Sequence, residues 1–177
     1  ATQPETKTEP KKEIVMKMGH GADPENARHQ GSLKFAELVK EKSGGRLTIE
    51  VFHSASLGTD EQMLESLRSG VAHFSAPGVG TISPLDARLN VLELPFMFKD
   101  FEKAWEVLDG PIGEELSSKL PEKGARILAF WENGFRNITN SKRPINTPDD
   151  LKGLKIRVPN WEVSVATFNA LGAEVTP

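Results

Sequence analysis

Two arginines are placed where they could do chemistry. Arg157 lies between the apolar Ile156 and Val158, next to a Pro159-Asn160 stop. A strand arginine at that point stands at the carboxyl end of its strand, where open α/β sheets bind ligands. A guanidinium presents a planar fork that grips a carboxylate through two charge-assisted hydrogen bonds. Arg136, just after the Asn133-Gly134 turn, is the second candidate. For both, the competing reading is a solvated face or a structural ion pair, and periodicity alone favours it.

The four histidines, His20, His29, His53 and His73, show no two-histidine helical spacing and no accompanying acidic cluster, so no metal site is expected. Gly78-Val79-Gly80 lacks the third glycine of a dinucleotide loop, and no phosphate-loop lysine follows a glycine run. There is no nucleophile elbow. Asn137-Ile138-Thr139 matches a glycosylation sequon of the kind that arises by chance. The residues therefore offer no recognisable catalytic apparatus and no cofactor motif.

Composition narrows the class. The chain has 177 residues, 22 Lys+Arg against 25 Asp+Glu and a net charge of −3. The pI is about 5.9 and the mean hydropathy −0.39. This balance argues against a nucleic-acid partner, which would favour a basic excess. Absence of cysteine excludes disulfides, thiolate metal sites and thiol catalysis. No apolar run reaches the roughly 18–20 residues of a membrane-spanning helix. The first residue is Ala1 and no signal-peptide pattern is present, as expected of a processed secreted protein and equally of a trimmed chain.

The elements that must position these residues alternate. Residues 1–13 read as a flexible tail, having two prolines and no large apolar side chain. Strands are expected at 14–18, 46–51, 71–76, 125–131, 154–158 and from 173, with 135–140 extended. A first helix is expected from an Asp23 N-cap and Pro24 to Gly44-Gly45, burying Leu33, Ala36, Leu38 and Val39. A second opens at Gly58-Thr59-Asp60, carries Met63, Leu64 and Leu67, and stops at Gly70. Phe96 and Phe98 are expected to plug a core. Residues 100–109 and 111–120 should pair as helices with Trp105 and Leu108 inward. Thr147 caps a short helix ending at Gly153, and 161–171 is helical with Val165, Phe168 and Leu171 on one face. The alternation predicts an α/β fold with mostly parallel pairing. The last 45 or so residues open a fresh series of strand–helix–strand units, too short to close a core alone.

Several segments occur together in order: Gly44-Gly45-Arg46-Leu47, Ser56-Leu57-Gly58, Leu94-Pro95-Phe96, Asn133-Gly134-Phe135-Arg136, Thr139–Ile145, Asp150–Asn160 and Leu171-Gly172-Ala173. Over residues 14–177 the chain resembles the solute-binding subunits of tripartite ATP-independent periplasmic (TRAP) transporters, the DctP-like C4-dicarboxylate-binding-protein family. The resemblance implies a two-lobed periplasmic binding protein of type II-like α/β architecture. The first lobe would span 14–132, and 133–177 would begin a second lobe that is incomplete in this chain. It implies a periplasmic monomer that captures a small organic acid and delivers it to the membrane subunits of an ion-driven transporter. A sugar acid such as a uronate is favoured, with C4-dicarboxylates next.

By the same resemblance Arg157 would clamp the substrate carboxylate and Arg136 would be a second cleft arginine. Asn160 and Asn133 would serve hydroxyls, and His20 would lie in a ligand-contacting loop. Trp161 would stack on the ligand or pack the helix start. Asp60 is a further candidate, although a capping role already accounts for it. Relatives that carry an acidic residue near Ala76-Pro77-Gly78 differ from this sequence, which departs there from sialic-acid-type binders. Rival readings are an extracytoplasmic sensor domain, an enzyme on the same bilobal fold, and a fragment that folds only with its complement.

Overall fold

The run Ile14-Val15-Met16-Lys17-Met18 becomes the central strand β1 (Ile14–Gly19) of a three-stranded parallel sheet. A computed structural model describes residues 13–176. Apart from Glu13, the expected tail lies outside the described residues. β1 is flanked by β2 (Leu47–Phe52) and β3 (Phe74–Ser75), in the order β2-β1-β3. The register runs from Ile14 opposite Leu47 to Gly19 opposite Phe52. Helices α1 (Ala27–Lys42) and α2 (Asp60–Arg68) make the crossovers that parallel strands require. Met18, Ile49, Met63, Leu64 and Ala72 are buried. Gly19 is needed here, because a Cβ would stand 2.7 Å from Met63 Sδ.

Several expectations shift in this region. The cap of α1 is Asn26, whose side chain accepts from Arg28 N, and not Asp23. Asp23-Pro24-Glu25-Asn26 instead closes a turn, with Asn26 N donating to Asp23 O at 3.0 Å. Pro in the second position suits a turn as well as a helix start, and the Asp23 carboxylate is taken by Ser54 Oγ. The buried face of α1 carries His29 and Ser32, while Leu33 is 44% exposed. Thr59, not Asp60, caps α2, in a reciprocal capping box with Gln62. The strand expected at 71–76 contracts to two residues, with Val71 exposed.

The chain divides into two units, Ala1–Ala76 and Pro77–Pro177. The second contains α3 (Val79–Ile82), a 3-10 turn at Ala87–Glu93, α4 (Phe101–Leu108), α5 (Pro111–Ser117) and 3-10 turns at Leu120–Lys123 and Pro148–Leu151. A two-stranded parallel sheet follows, β4 (Lys155–Arg157) paired with β5 (Glu174–Thr176), joined through α6 (Glu162–Ala170). Leu151, Leu154, Ile156, Val158 and Ala173 form one core cluster, packed on by Val165, Phe168 and Leu171. Leu89, Leu116 and Leu120 form another.

Residues 125–140 contradict the strands expected there: no ladder forms, and Leu128, Trp131 and Phe135 are exposed. A strand exists only through its neighbour's hydrogen bonds, and among the described residues this segment has no ladder partner. Only Ile127 packs onto the Leu89 cluster. Phe96 does not plug a core. Pro95 breaks the chain after the 3-10 turn, and Phe96 turns into solvent at φ 59°. Trp105 is likewise 48% exposed, whereas Leu108 is half-buried.

Candidate ligand-binding edges

Parallel strands direct their carboxyl ends to one edge of the sheet, and in the first unit three loops gather there. His20-Gly21-Ala22 follows β1, His53-Ser54-Ala55 follows β2, and Ala76 follows β3. The first two loops are tied through the backbone: His20 N to Phe52 O, Ala55 N to His20 O and Ser54 N to Ala22 O, at 2.9–3.1 Å. The His20 ring is buried, 1% exposed. Its Nδ1 accepts from Ala22 N at 3.2 Å, and its Nε2 lies 3.2 Å from His29 Nδ1. Both ring nitrogens are therefore engaged, and a direct ligand contact would require one of these bonds to be given up. Burial first, then the nearby Arg28 and His29 charges, lower its pKa below 6.5, and Asp60 opposes them.

Asp60, relieved of capping by Thr59, accepts from Gly21 N at 3.0 Å and from Arg28 Nη1 at 3.2 Å. The same Arg28 nitrogen donates to Ala76 O at 2.9 Å. Arg28 thus fastens the start of α1 to the start of α2 and the end of β3. Its Nε is buried without a partner among the described residues. Sequence reading passed over Arg28, since a lone arginine in a helix's first turn gives no signal; its partners lie 32 and 48 residues away.

In the second unit Arg157 closes β4 with its side chain exposed, while Ile156 beside it is buried. Among the described residues the guanidinium has no hydrogen bond or ion pair. Asn160 is exposed just beyond Pro159. Trp161 caps α6 and lies on a glycine floor. A Cβ on Gly78 would sit 2.5 Å from the indole, and one on Gly80 would collide with the same ring. Arg136 stacks over that ring, its guanidinium carbon 4.7 Å from the centroid. Trp161 is therefore both packed and a platform. Glu93 is raised by burial, an effect that the attraction of Arg136 opposes. Asn133 is exposed in the irregular segment before Arg136.

The structure thus groups His20 with Asp60 through Arg28 and His29, and Arg136 with Trp161; Arg157 and Asn160 follow on the same strand end as Trp161. Among the described residues no group of three His, Asp or Glu is placed to hold a metal. A cavity of about 60 Å³ between α4 and residues 130–132 contains none of these candidates.

Residues 18–177 match the bacterial extracellular solute-binding protein family 7, DctP. The chain belongs to this family. Among similar DctP-type proteins, the 2,3-diketo-L-gulonate-binding periplasmic protein YiaO of Escherichia coli is 36% identical over 162 residues, which cover 92% of this chain and 49% of that one. The C4-dicarboxylate-binding periplasmic protein DctP of Rhodobacter capsulatus is 38% identical over 161 residues, 90% of this chain and 48% of the relative. The sugar acid binding protein DctPAm of Advenella mimigardefordensis, solved in complex with galactonate, superposes with a TM-score of 0.89 at 39% identity. That match covers 94% of this chain and 54% of the solved one. The chain spans about half the length of the relatives named. The α/β fold expected from the sequence is that of these two-lobed DctP proteins, which are binding proteins and not enzymes.

Proposed function

We propose that this DctP-family chain belongs to a periplasmic solute-binding protein that captures a small organic acid and passes it to the membrane subunits of a TRAP transporter. The observation that carries the reading is Arg157, exposed and unpaired among the described residues at the carboxyl end of a parallel strand. Its fork is free to take a carboxylate in two charge-assisted bonds. Arg136, its guanidinium carbon over the Trp161 ring, has no hydrogen bond or ion pair among the described residues and is open to a second anionic or hydroxyl group. Asn160 and Asn133 supply uncharged donors and acceptors for hydroxyls. Sugar acids fit this set best, with C4-dicarboxylates next. The relatives named bind a keto sugar acid, a C4-dicarboxylate and galactonate.

The lobe boundary belongs to the same proposal. The first lobe runs over 14–132, the second opens at 133, and the chain bends near 131–137 to close on the acid. The protein acts as a monomer without a cofactor. Calorimetry on the intact protein with galactonate, glucuronate and succinate tests the reading. Arg157→Ala is expected to abolish binding of the acid that the wild type takes. Unchanged affinity in that variant would overturn the carboxylate clamp.

A further inference from the structure

The hydrogen bonds around His20 run in one direction. Ala22 N donates to His20 Nδ1, so that nitrogen carries a lone pair and the neutral ring holds its proton on Nε2. His20 Nε2 therefore donates to His29 Nδ1, and His29 in turn must hold its own proton on Nε2. A proton added to Nδ1 of His20 would face the Ala22 N–H, and one added to Nδ1 of His29 would face the His20 N–H. Both rings are buried, so solvent is poorly placed to replace a lost partner. The bonds of His20 and Ala22 to the loop after β2 link ring orientation to the path of the whole carboxyl edge. Gly21 N, donating to Asp60, lies between them.

We propose that His29, a residue with no role assigned by its sequence context, is a positioning residue for the ligand-binding edge of the first unit. It acts through His20: Ala22 N sets that ring's tautomer, and His29 Nδ1 takes the Nε2 proton so presented, which holds the ring and with it the path of residues 20–22. The inference rests on the proposed function, capture of an organic acid, and extends it to the His20 loop. The groups facing His20 are Arg28 and His29 from α1, Asp60 from the start of α2 and His53 from the loop after β2. Among these only Asp60 favours a proton on the ring, and burial disfavours it.

Nitrogen-15 histidine spectra of the intact protein, paired with galactonate calorimetry, test the proposal. The wild type should show His20 neutral and protonated on Nε2 at pH 7–8. His29→Asn puts an amide oxygen near the place of Nδ1; it should keep the tautomer and bind within about twofold of wild type. His29→Leu removes the acceptor; Ala22 should keep the tautomer, while the His20 Nε2–H resonance shifts and affinity falls about tenfold. The gap between Leu variant and wild type should narrow as acid breaks the pair in the wild type. An unshifted His20 Nε2–H resonance or unchanged affinity in His29→Leu overturns the proposal. So does a wild-type His20 protonated on Nδ1, a result that stands even if the Leu variant fails to fold. A wild type with the expected tautomer that binds none of galactonate, glucuronate and succinate removes the functional reading, while a shifted His20 Nε2–H resonance in His29→Leu still supports the linkage.

Discussion

The carboxyl edges of the two sheets are built on opposite principles. In the first unit every charged or polar candidate is committed. Asp60 holds Gly21 N and Arg28, Arg28 holds Ala76 O, and His20 has both nitrogens bonded. In the second unit Arg157 and Asn160 are exposed, and Arg136 rests on an aromatic face. Preorganised polar groups with their bonds made define a surface; exposed cations offer bonds still to be made. The same contrast separates two arginines only fourteen positions apart. Arg143 spends its guanidinium on Asp150 O and Lys152 O, at 3.0 and 2.7 Å, and is structural. Arg157 has no such partner among the described residues.

The contrast breaks most sharply at Arg157. Arg157→Ala should cost about 3–5 kcal/mol of acid binding, as for one partner of a desolvated charge pair. Thermal unfolding should barely respond, because exposed side chains without partners contribute within about 0.5 kcal/mol. Asp60→Ala should behave in the reverse way. It strips Gly21 N and Arg28 of their acceptor and should destabilise the fold by about 1–3 kcal/mol in denaturant titrations. If Asp60→Ala left stability untouched, the first edge would not be the committed framework described here.

Much of this framework was legible in the sequence, because it is written in local signals. β1, β2 and β4 follow from short apolar or alternating runs, and glycines at 44, 45, 153 and 172 end elements in left-handed backbone. Thr147 stands at the N-cap expected of it, its N and Oγ1 both donating to Asp150 Oδ2. What failed was non-local. Asp23-Pro24 satisfies a turn and a helix start alike, and Asn26 wins because its side chain reaches Arg28 N. Residues 125–131 have the composition of a buried strand but no ladder among the described residues. Leu33 gave way to His29 and Ser32 on the buried face of α1, where His20 in the loop after β1 partners His29 and Ser32 Oγ donates back to Arg28 O. Of the site, Arg157 was readable from its strand position, and the platform of Gly78, Gly80 and Trp161 was not, since its parts are about eighty residues apart.

That platform gives a smaller test. Gly80→Ala places a methyl group against the Trp161 indole. The ring must move, at a cost of about 1–3 kcal/mol for overpacking, and Arg136 loses the face it stacks on. Acid affinity should fall several-fold, and the quenching of Trp161 fluorescence should change with it. Loss of affinity with an unmoved Trp161 would separate Arg136 from its platform and make the stack incidental.

The smallest effect concerns acid, and it orders the two units. His20 has its pKa lowered from 6.5 by burial, so the unfolded chain binds its proton more readily than the folded one. The stability tied to its neutral form is complete above pH 6.5 and is lost as pH falls through the lowered folded value. Asp86 is held at about 2 by its hydrogen bonds to Arg88, against an ordinary 3.8. Its contribution is complete above 3.8 and is lost only as pH falls through about 2. Asp150 is lowered as well, by the backbone N–H groups of Asn146 and Thr147 that it caps. Glu93 runs the other way, since burial raises it and acid relieves the desolvation of its charge. In the window that opens as pH falls below 6.5, the first unit should therefore loosen while the second holds. Amide exchange read by NMR would show protection of Ala22 and Ala55 falling in that window before that of Val158. Simultaneous loss in both units would mean that the buried histidine pair does not set the acid response of the first.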